Sequence, residues 1–280
     1  MMEICRIDSL DSAELQPYRT LRRATEHIKQ GIFVAEGEKV VSRLLDAQIE
    51  VVSLLLTEPW QEELGPSIEK RGVGNIKVWV APKHLLESIV GFHLHQGVMA
   101  IGKIPRPVGL AEAVESAIKP HLVVALDGLT NADNIGVIVR NCVAFGVNAL
   151  IVPQNTSSPY LRRAVRMSMG AVFRLPIVSV ENLAPSLRKL TNQFGTRIIA
   201  THPQPDATSI EDADLNGSVC LVLGSEGKGI SSEVLETCSE KVSIPVTLET
   251  DSLNVATASG IFLFEAARKR RHRLAQNRPD

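Results

Sequence analysis

The chain has 280 residues, 44% hydrophobic and 22% charged, with 30 Lys and Arg against 31 Asp and Glu. That length holds one large domain or two ordinary ones, and a chain of this size buries roughly 75% of its unfolded surface, enough for a core without staples. The composition excludes a disordered chain, and no apolar run approaches the ~20 residues of a membrane-spanning helix. No charged-then-apolar leader opens the sequence, and Cys5, Cys142, Cys220 and Cys238 form no C-x-x-C pair, so neither a disulfide framework nor a zinc site is expected. Cytoplasm is the expected location. With a net charge of −1, attraction for nucleic acid has to come from basic residues concentrated locally.

In chain order, residues 1–104 read as a small mixed α/β unit. Leu15, Leu21, Arg22, Arg23 and Lys29 fall in a basic, helix-like stretch. FVAEG (33–37) is a short strand and turn, followed at helical spacing by Val40, Val41, Leu44 and Leu45. EVVSLLLT (50–57) and KVWVA (77–81) are apolar runs of strand length, PKHLLESIV (82–90) is a helix with proline near its start, and VMAIGKI (98–104) is a last strand. Pro105 and Pro107 then open a linker over 105–120.

From about His121 the rhythm changes to strands alternating with helices, over a second domain at 121–268. LVVAL (122–126), NALIV (148–152), RIIAT (197–201), VCLVL (219–223) and KVSIP (241–245) are near-continuous in apolar residues, as suits parallel strands covered on both faces. A basic tail follows at 269–280, either a solvated helix end or an RNA contact. Fingerprints for dinucleotides, nucleoside triphosphates, zinc proteases and serine hydrolases are absent. His93 and His95 have no carboxylate or cysteine at ligand spacing and read as packing histidines; no metal is expected.

Chemistry is therefore sought in the turns that follow the apolar strands, because ligands of open α/β sheets gather there. After LVVAL, a helix beginning near Asp133-Asn134 buries Ile135, Ile138, Val139, Cys142 and Val143 on one stripe. Arg140 stands about 140° around from Ile135, at the edge of the covered face, and is a surface arginine or a site residue. After VCLVL, Gly224, Gly227 and Gly229 flank Glu226 in a loop free to offer backbone N–H groups to a small molecule, with a helix from about Ser231. After KVSIP, Ser252 and Asn254 sit where a helix needs caps and are caps or substrate-facing groups. A fourth stretch, 157–176, places Ser158 and Pro159 at a helix start and gathers Arg162, Arg163, Arg166 and Arg174, candidates for phosphate contact or a solvated face.

These turns, in this order, resemble the three motifs of the SpoU (TrmH-type) branch of the SPOUT RNA methyltransferases. Asn134-Ile135-Gly136 with Arg140 matches the first motif, Gly224-Ser225-Glu226-Gly227 with Gly229 the second, and Ile244-Pro245 with Ser252-Leu253-Asn254-Val255 the third. The resemblance spans roughly 121–268, and 1–104 looks like the small RNA-binding domain that often precedes it, notably at Glu36-Gly37 and Gln96-Gly97. It implies a parallel α/β sheet whose C-terminal chain threads a trefoil knot, a homodimer, S-adenosylmethionine as methyl donor, and methylation of a ribose 2′-hydroxyl of rRNA or tRNA. Asn134, Arg140, Glu226, Ser252 and Asn254 would form the catalytic centre. Thr201, Leu223, Gly224, Glu226, Gly229, Ile244, Leu253 and Asn254 would hold the donor, and Arg22, Arg23, Arg162, Arg163 and Arg166 the RNA. A guanidinium holds its proton too tightly to serve as a base, so Arg140 is expected to stabilise a developing alkoxide or anchor a phosphate, with Glu226 holding it, across the dimer if need be. The segment 247–250 lacks the glycine common in relatives, and Ala256 replaces a common serine. The competing readings are an RNA-binding protein that has lost catalysis and a dinucleotide-dependent α/β enzyme.

Overall fold

A computed structural model describes residues 3–71, 76–90, 97–204, 206–247 and 252–276. The chain divides into two compact units, Met1–Arg106 with Ser158–Arg174, and Pro107–Ser157 with Leu175–Asp280. His93, His95, Gln96, the 248–250 part of the loop lacking glycine, and the tail beyond 276 lie outside the described residues.

The first unit holds β1 (Glu3–Arg6), α1 (Gln16–Arg19), α2 (Ala24–Lys29), β2 (Ile32–Glu36), α3 (Glu38–Asp46), β3 (Val51–Leu56), α4 (Glu58–Lys70), β4 (Lys77–Val80), α5 (Lys83–Val90) and β5 (Val98–Lys103). Its sheet runs β1-β4-β3-β5-β2, with β1, β4 and β3 parallel and β5 antiparallel to both β3 and β2. The apolar runs at 33–37, 50–57, 77–81 and 98–104 become β2 to β5. Strand β1 and helix α4 went unanticipated: β1 is a four-residue edge strand, and α4 carries Pro66 in its interior, which argues against a helix on propensity alone.

The expected linker is not one. Within it α6 (Leu110–Glu115) turns Ala113 and Val114 into the core of the second unit. That unit continues with β6 (Leu122–Asp127), α7 (Ala132–Ala144) and β7 (Ala149–Pro153), then gives up a segment containing α8 (Arg162–Met167) to the first unit. It resumes with β8 (Ile177–Val180), α9 (Leu183–Phe194), β9 (Arg197–Thr201), β10 (Thr208–Ser209), β11 (Val219–Gly224), α10 (Ser232–Leu235), β12 (Glu240–Ser243) and α11 (Val255–Gln276). The sheet order is β10-β12-β9-β11-β6-β7-β8, and every pairing is parallel. β6 and β7 are buried along their whole length, as their unbroken apolar sequences require. Among the described residues no helix is long and apolar enough to cross a membrane.

Two basic groups do something other than the sequence suggested. The α8 segment packs on β2: Phe33 meets Tyr160 at 5.6 Å and Phe173 at 5.4 Å between ring centroids. Arg162 donates through Nε to Glu36 at 2.9 Å, its Nη2 lies 2.6 Å from the same carboxylate, and the two side chains are only 18% and 9% exposed. Arg162 is therefore committed to Glu36, not presented to RNA. Arg166 stands 3.8 Å from Glu36 and stays half exposed, while Arg163, Arg22 and Arg23 are exposed. The helix starts at Arg162 rather than at Pro159, and the Ser158 hydroxyl accepts from the Tyr160 N–H at 3.2 Å.

Near the end of α11, Lys269 Nζ donates to the carbonyls of Ile210, Glu211 and Ala213 at 2.7–3.0 Å. Arg270 donates to those of Pro120, His121, Leu215 and Gly217. Burial pushes the Arg270 guanidinium down to about 10. These two side chains of the basic run thus fasten the far end of α11 to the chain around 210–217. Because removing one member of a buried ion pair strands the other, Glu36→Ala is expected to cost about 3 kcal/mol. A urea denaturation curve superimposable on wild type would show that the Arg162 pair contributes nothing.

Candidate active site

The second unit's parallel strands all end on one edge, and the ends of β9, β11 and β12 build a cavity with the start of α11. β11 closes on Gly224, paired in register with Asp127 at the end of β6. No side chain fits at Gly224, since a Cβ there would lie 2.4 Å from the Gly229 backbone. The loop beyond is pinned into a narrow hairpin: Ser225 N–H donates to Gly229 C=O at 3.1 Å, and Gly229 N–H returns to Ser225 C=O at 2.9 Å. Gly229 has φ +67°, a conformation side chains resist. Beneath it the buried Asp127 carboxylate accepts from Ser231 N–H at 2.7 Å and from the Asn155 amide at 3.3 Å, fixing the loop's exit. Glu226 is thereby held at the tip of a rigid turn.

The helix ends supply the rest. Asn131 caps α7, its side chain accepting from Asp133 N–H at 2.9 Å, which sets Asn134 in the first turn. Asn254 caps α11, its Oδ1 accepting from Ala256 N–H at 2.9 Å and Thr257 N–H at 3.3 Å. With Oδ1 committed to backbone donors, the Asn254 amide nitrogen must point the other way, and it donates to Asn134 Oδ1 at 3.2 Å. Asn134 in turn donates through Nδ2 to Glu226 Oε1. Amide orientation is ordinarily an assignment; here the backbone N–H groups at one end and the carboxylate at the other leave one consistent direction. The two helices are braced behind this chain by Asn141, whose amide donates to Ala256 C=O at 3.1 Å and Ser259 Oγ at 2.9 Å. Gly260 permits the approach, since a Cβ there would meet that amide at 3.3 Å.

Glu226 and Asn254 stand in the wall of a cavity of about 420 Å³, within the range of small-molecule sites. Thr201, His202 and Pro203 line it from the end of β9, Gly224 to Gly227 and Gly229 from the hairpin, Ile244 and Val246 from beyond β12, and Ser252, Leu253, Val255, Ala258 and Phe262 from the start of α11. The Thr201 hydroxyl donates to Val222 C=O at 2.8 Å. Burial and the neighbouring Lys241 lower the His202 pKa, with Asp206 opposing, which favours the neutral ring.

Residues 121–264 match the family described as SpoU rRNA Methylase, and residues 34–108 match the one described as RNA 2'-O ribose methyltransferase substrate binding. The chain belongs to the SpoU rRNA methylase family. As a member of it, the protein is an RNA methyltransferase. It is 31% identical over 270 residues to an uncharacterized tRNA/rRNA methyltransferase of Mycobacterium tuberculosis (strain ATCC 25618 / H37Rv), covering 94% of this chain and 91% of the relative. Among solved structures it resembles an AdoMet-bound rRNA methyltransferase from Sinorhizobium meliloti, with a TM-score of 0.81, 27% identity, and coverage of 95% of this chain and 98% of that one. The SpoU methyltransferase AviRb from Streptomyces viridochromogenes gives 0.78 and 26%, covering 93% and 98%.

Set against the residues the SpoU motifs pointed to, Thr201, Gly224, Glu226, Gly229, Ile244, Ser252, Leu253 and Asn254 all line the cavity, and Asn134 is bonded to two of them. Leu223 does not line it; it is buried within β11. Arg140 is the second exception. It is exposed on α7 and makes no hydrogen bond or ion pair with any described residue, so the expected Glu226–Arg140 contact is replaced within one chain by Glu226–Asn134. The physical reason is helical geometry: six residues past Asn134, Arg140 lies ~9 Å along the axis and about a third of a turn away. Asp127, Asn141 and His202 were missed. Asp127 had a readable signal, an acid ending the apolar run LVVALD at the ligand edge; Asn141 and His202 had none.

Asn254→Asp separates the cap from the chain of amides. A carboxylate still caps α11 but cannot donate to Asn134. Thermal stability should stay near wild type while kcat falls about 100-fold, the order seen when one positioned donor is lost. Undiminished turnover in a folded Asn254→Asp variant would remove the amide chain from catalysis.

Proposed function

We propose that this methyltransferase moves the methyl group of S-adenosylmethionine to a ribose 2′-hydroxyl of rRNA or tRNA, working as a homodimer. The observation that carries the reading is the directed chain from the α11 cap through Asn254 and Asn134 to a carboxylate in the cavity wall. The lining suits the donor: Ile244, Val246, Leu253 and Phe262 offer an apolar wall to a planar base, and the hairpin offers backbone polar groups. When bound, the donor supplies a methyl group already activated by a sulfonium, so the protein has to align and stabilise more than to attack.

Asn134 occupies one oxygen of Glu226, and the second has no described partner. That oxygen accepts the proton of the 2′-hydroxyl as the new C–O bond forms, while Ser252 and Asn254 fix the hydroxyl's direction. Arg140, a permanent cation, stabilises negative charge on the ribose oxygen or anchors the adjacent phosphate. Because it stands away from Glu226 in its own chain, we assign that role to the partner subunit's Arg140. An apolar surface is available for such pairing, with Phe264 50% and Ile261 36% exposed on α11 and Phe264 packed edge-on against Phe145 of α7. The reading brings with it the family's knotted passage of the chain ahead of α11. Arg22, Arg23, Arg163 and the exposed part of Arg166 remain the candidates for phosphate contact.

Two experiments test this. Donor labelled in the methyl group, incubated with total RNA, should leave label on a ribose, recognised because a 2′-O-methyl protects its phosphodiester from alkali; label on a base alone, or none, contradicts it. Mixing inactive Arg140→Ala and Glu226→Ala chains should restore about a quarter of wild-type activity, since half the dimers then carry one intact site of two. No recovery would place both groups in one subunit.

A further inference from the structure

Among the described residues lining the cavity, His202 is the one with a buried side-chain atom that lacks a partner. Its backbone N–H donates to Val242 C=O at 2.9 Å, which fixes the residue between β9 and β12. The ring lines the cavity, yet Nδ1 is screened from solvent and has no hydrogen-bond partner among the described residues. A buried polar atom left unpaired costs about 1–3 kcal/mol, so buried nitrogens without partners are rare and want an explanation. Among the described residues, His121 Nδ1 and Asn216 Oδ1 share this condition, and neither residue lines the cavity. Of these three described residues, His202 alone lines the cavity.

We infer that His202 is a donor-contacting residue, its unpaired ring nitrogen forming a hydrogen bond with a polar group of the S-adenosylmethionine that the reading above places in this cavity. A half-turn about Cβ–Cγ exchanges Nδ1 with Cδ2 and Nε2 with Cε1, and among the described residues neither ring nitrogen makes a hydrogen bond that the turn would break. Charged neighbours do not compete for it: Lys241 and Asp206 lie near the ring with opposite effects, and the described bond of Glu226, across the cavity, goes to Asn134. In its neutral form the ring has one nitrogen to donate and one to accept, so it can meet an amine, a hydroxyl or a ring nitrogen of the donor molecule.

The test uses S-adenosylhomocysteine, the stable demethylated product, on the full-length protein. By calorimetry, His202→Phe should bind it roughly 3- to 10-fold more weakly than wild type, the loss of one hydrogen bond. His202→Asn, whose amide overlays the Nδ1 position, should recover most of the affinity. In protein labelled with 15N-histidine, the Nδ1 resonance missing from the His202→Asn spectrum should shift when wild type is saturated, which a purely structural histidine would not do. A resonance unmoved at saturation, or His202→Phe binding as tightly as wild type, overturns the inference and leaves the donor site standing. Failure of wild type to bind S-adenosylhomocysteine at all overturns the donor site itself.

Discussion

Asn254 can turn its amide only one way. Two N–H groups at the start of α11 claim its oxygen, and that claim sets the direction of every bond beyond it: nitrogen to Asn134, and from Asn134 to Glu226. A helix cap, worth about 1 kcal/mol as a matter of stability, thus becomes the reference point for a site assembled from three distant parts of the chain. What lies behind the chain serves the same end. Asn141 and Gly260 hold α7 and α11 close, Asp127 holds the exit of the glycine hairpin, and Lys269 with Arg270 fastens the other end of α11. Each restrains an element that bears one of the three site residues.

The connection between the parallel strands β7 and β8 departs from a simple crossover. Its middle, with α8, belongs to the core of the other unit, through the aromatic cluster at Phe33 and the Glu36–Arg162 pair. The chain therefore passes between the units three times, at 106–107, 157–158 and 174–175. A basic cluster that reads as a landing strip for phosphate is partly a structural fastening, and the charge left for RNA is smaller and differently placed than a count of arginines suggests.

Much of the parallel sheet was legible because strands buried on both faces cannot hide their composition: Leu122 to Leu126 admits no polar residue. The turns after such strands drew attention to the site, and its residues could be named because those turns resemble the SpoU motifs; taken singly, Ser252 and Asn254 read equally well as caps. Less visible were contacts whose two halves are far apart in sequence. Glu36 and Arg162 are 126 residues apart, and neither neighbourhood advertises the other. The direction of a long basic side chain was equally hidden, since a run of Lys and Arg has the same spelling whether it reaches water or, as Lys269 and Arg270 do, its own backbone. Arg140 is the instructive case. Its position off the buried stripe of α7 was readable, and the structure shows it exposed there, away from Glu226 of the same chain.

The central claim is that the Asn254–Asn134–Glu226 chain faces the reacting sulfur. A crystal structure of the protein with S-adenosylhomocysteine and a short RNA bound measures this directly. The account predicts the thioether sulfur opening toward Glu226 and Asn254, with a ribose oxygen between them and the amide chain intact. A ligand seated elsewhere, or one whose sulfur turns away from these three side chains, would contradict it.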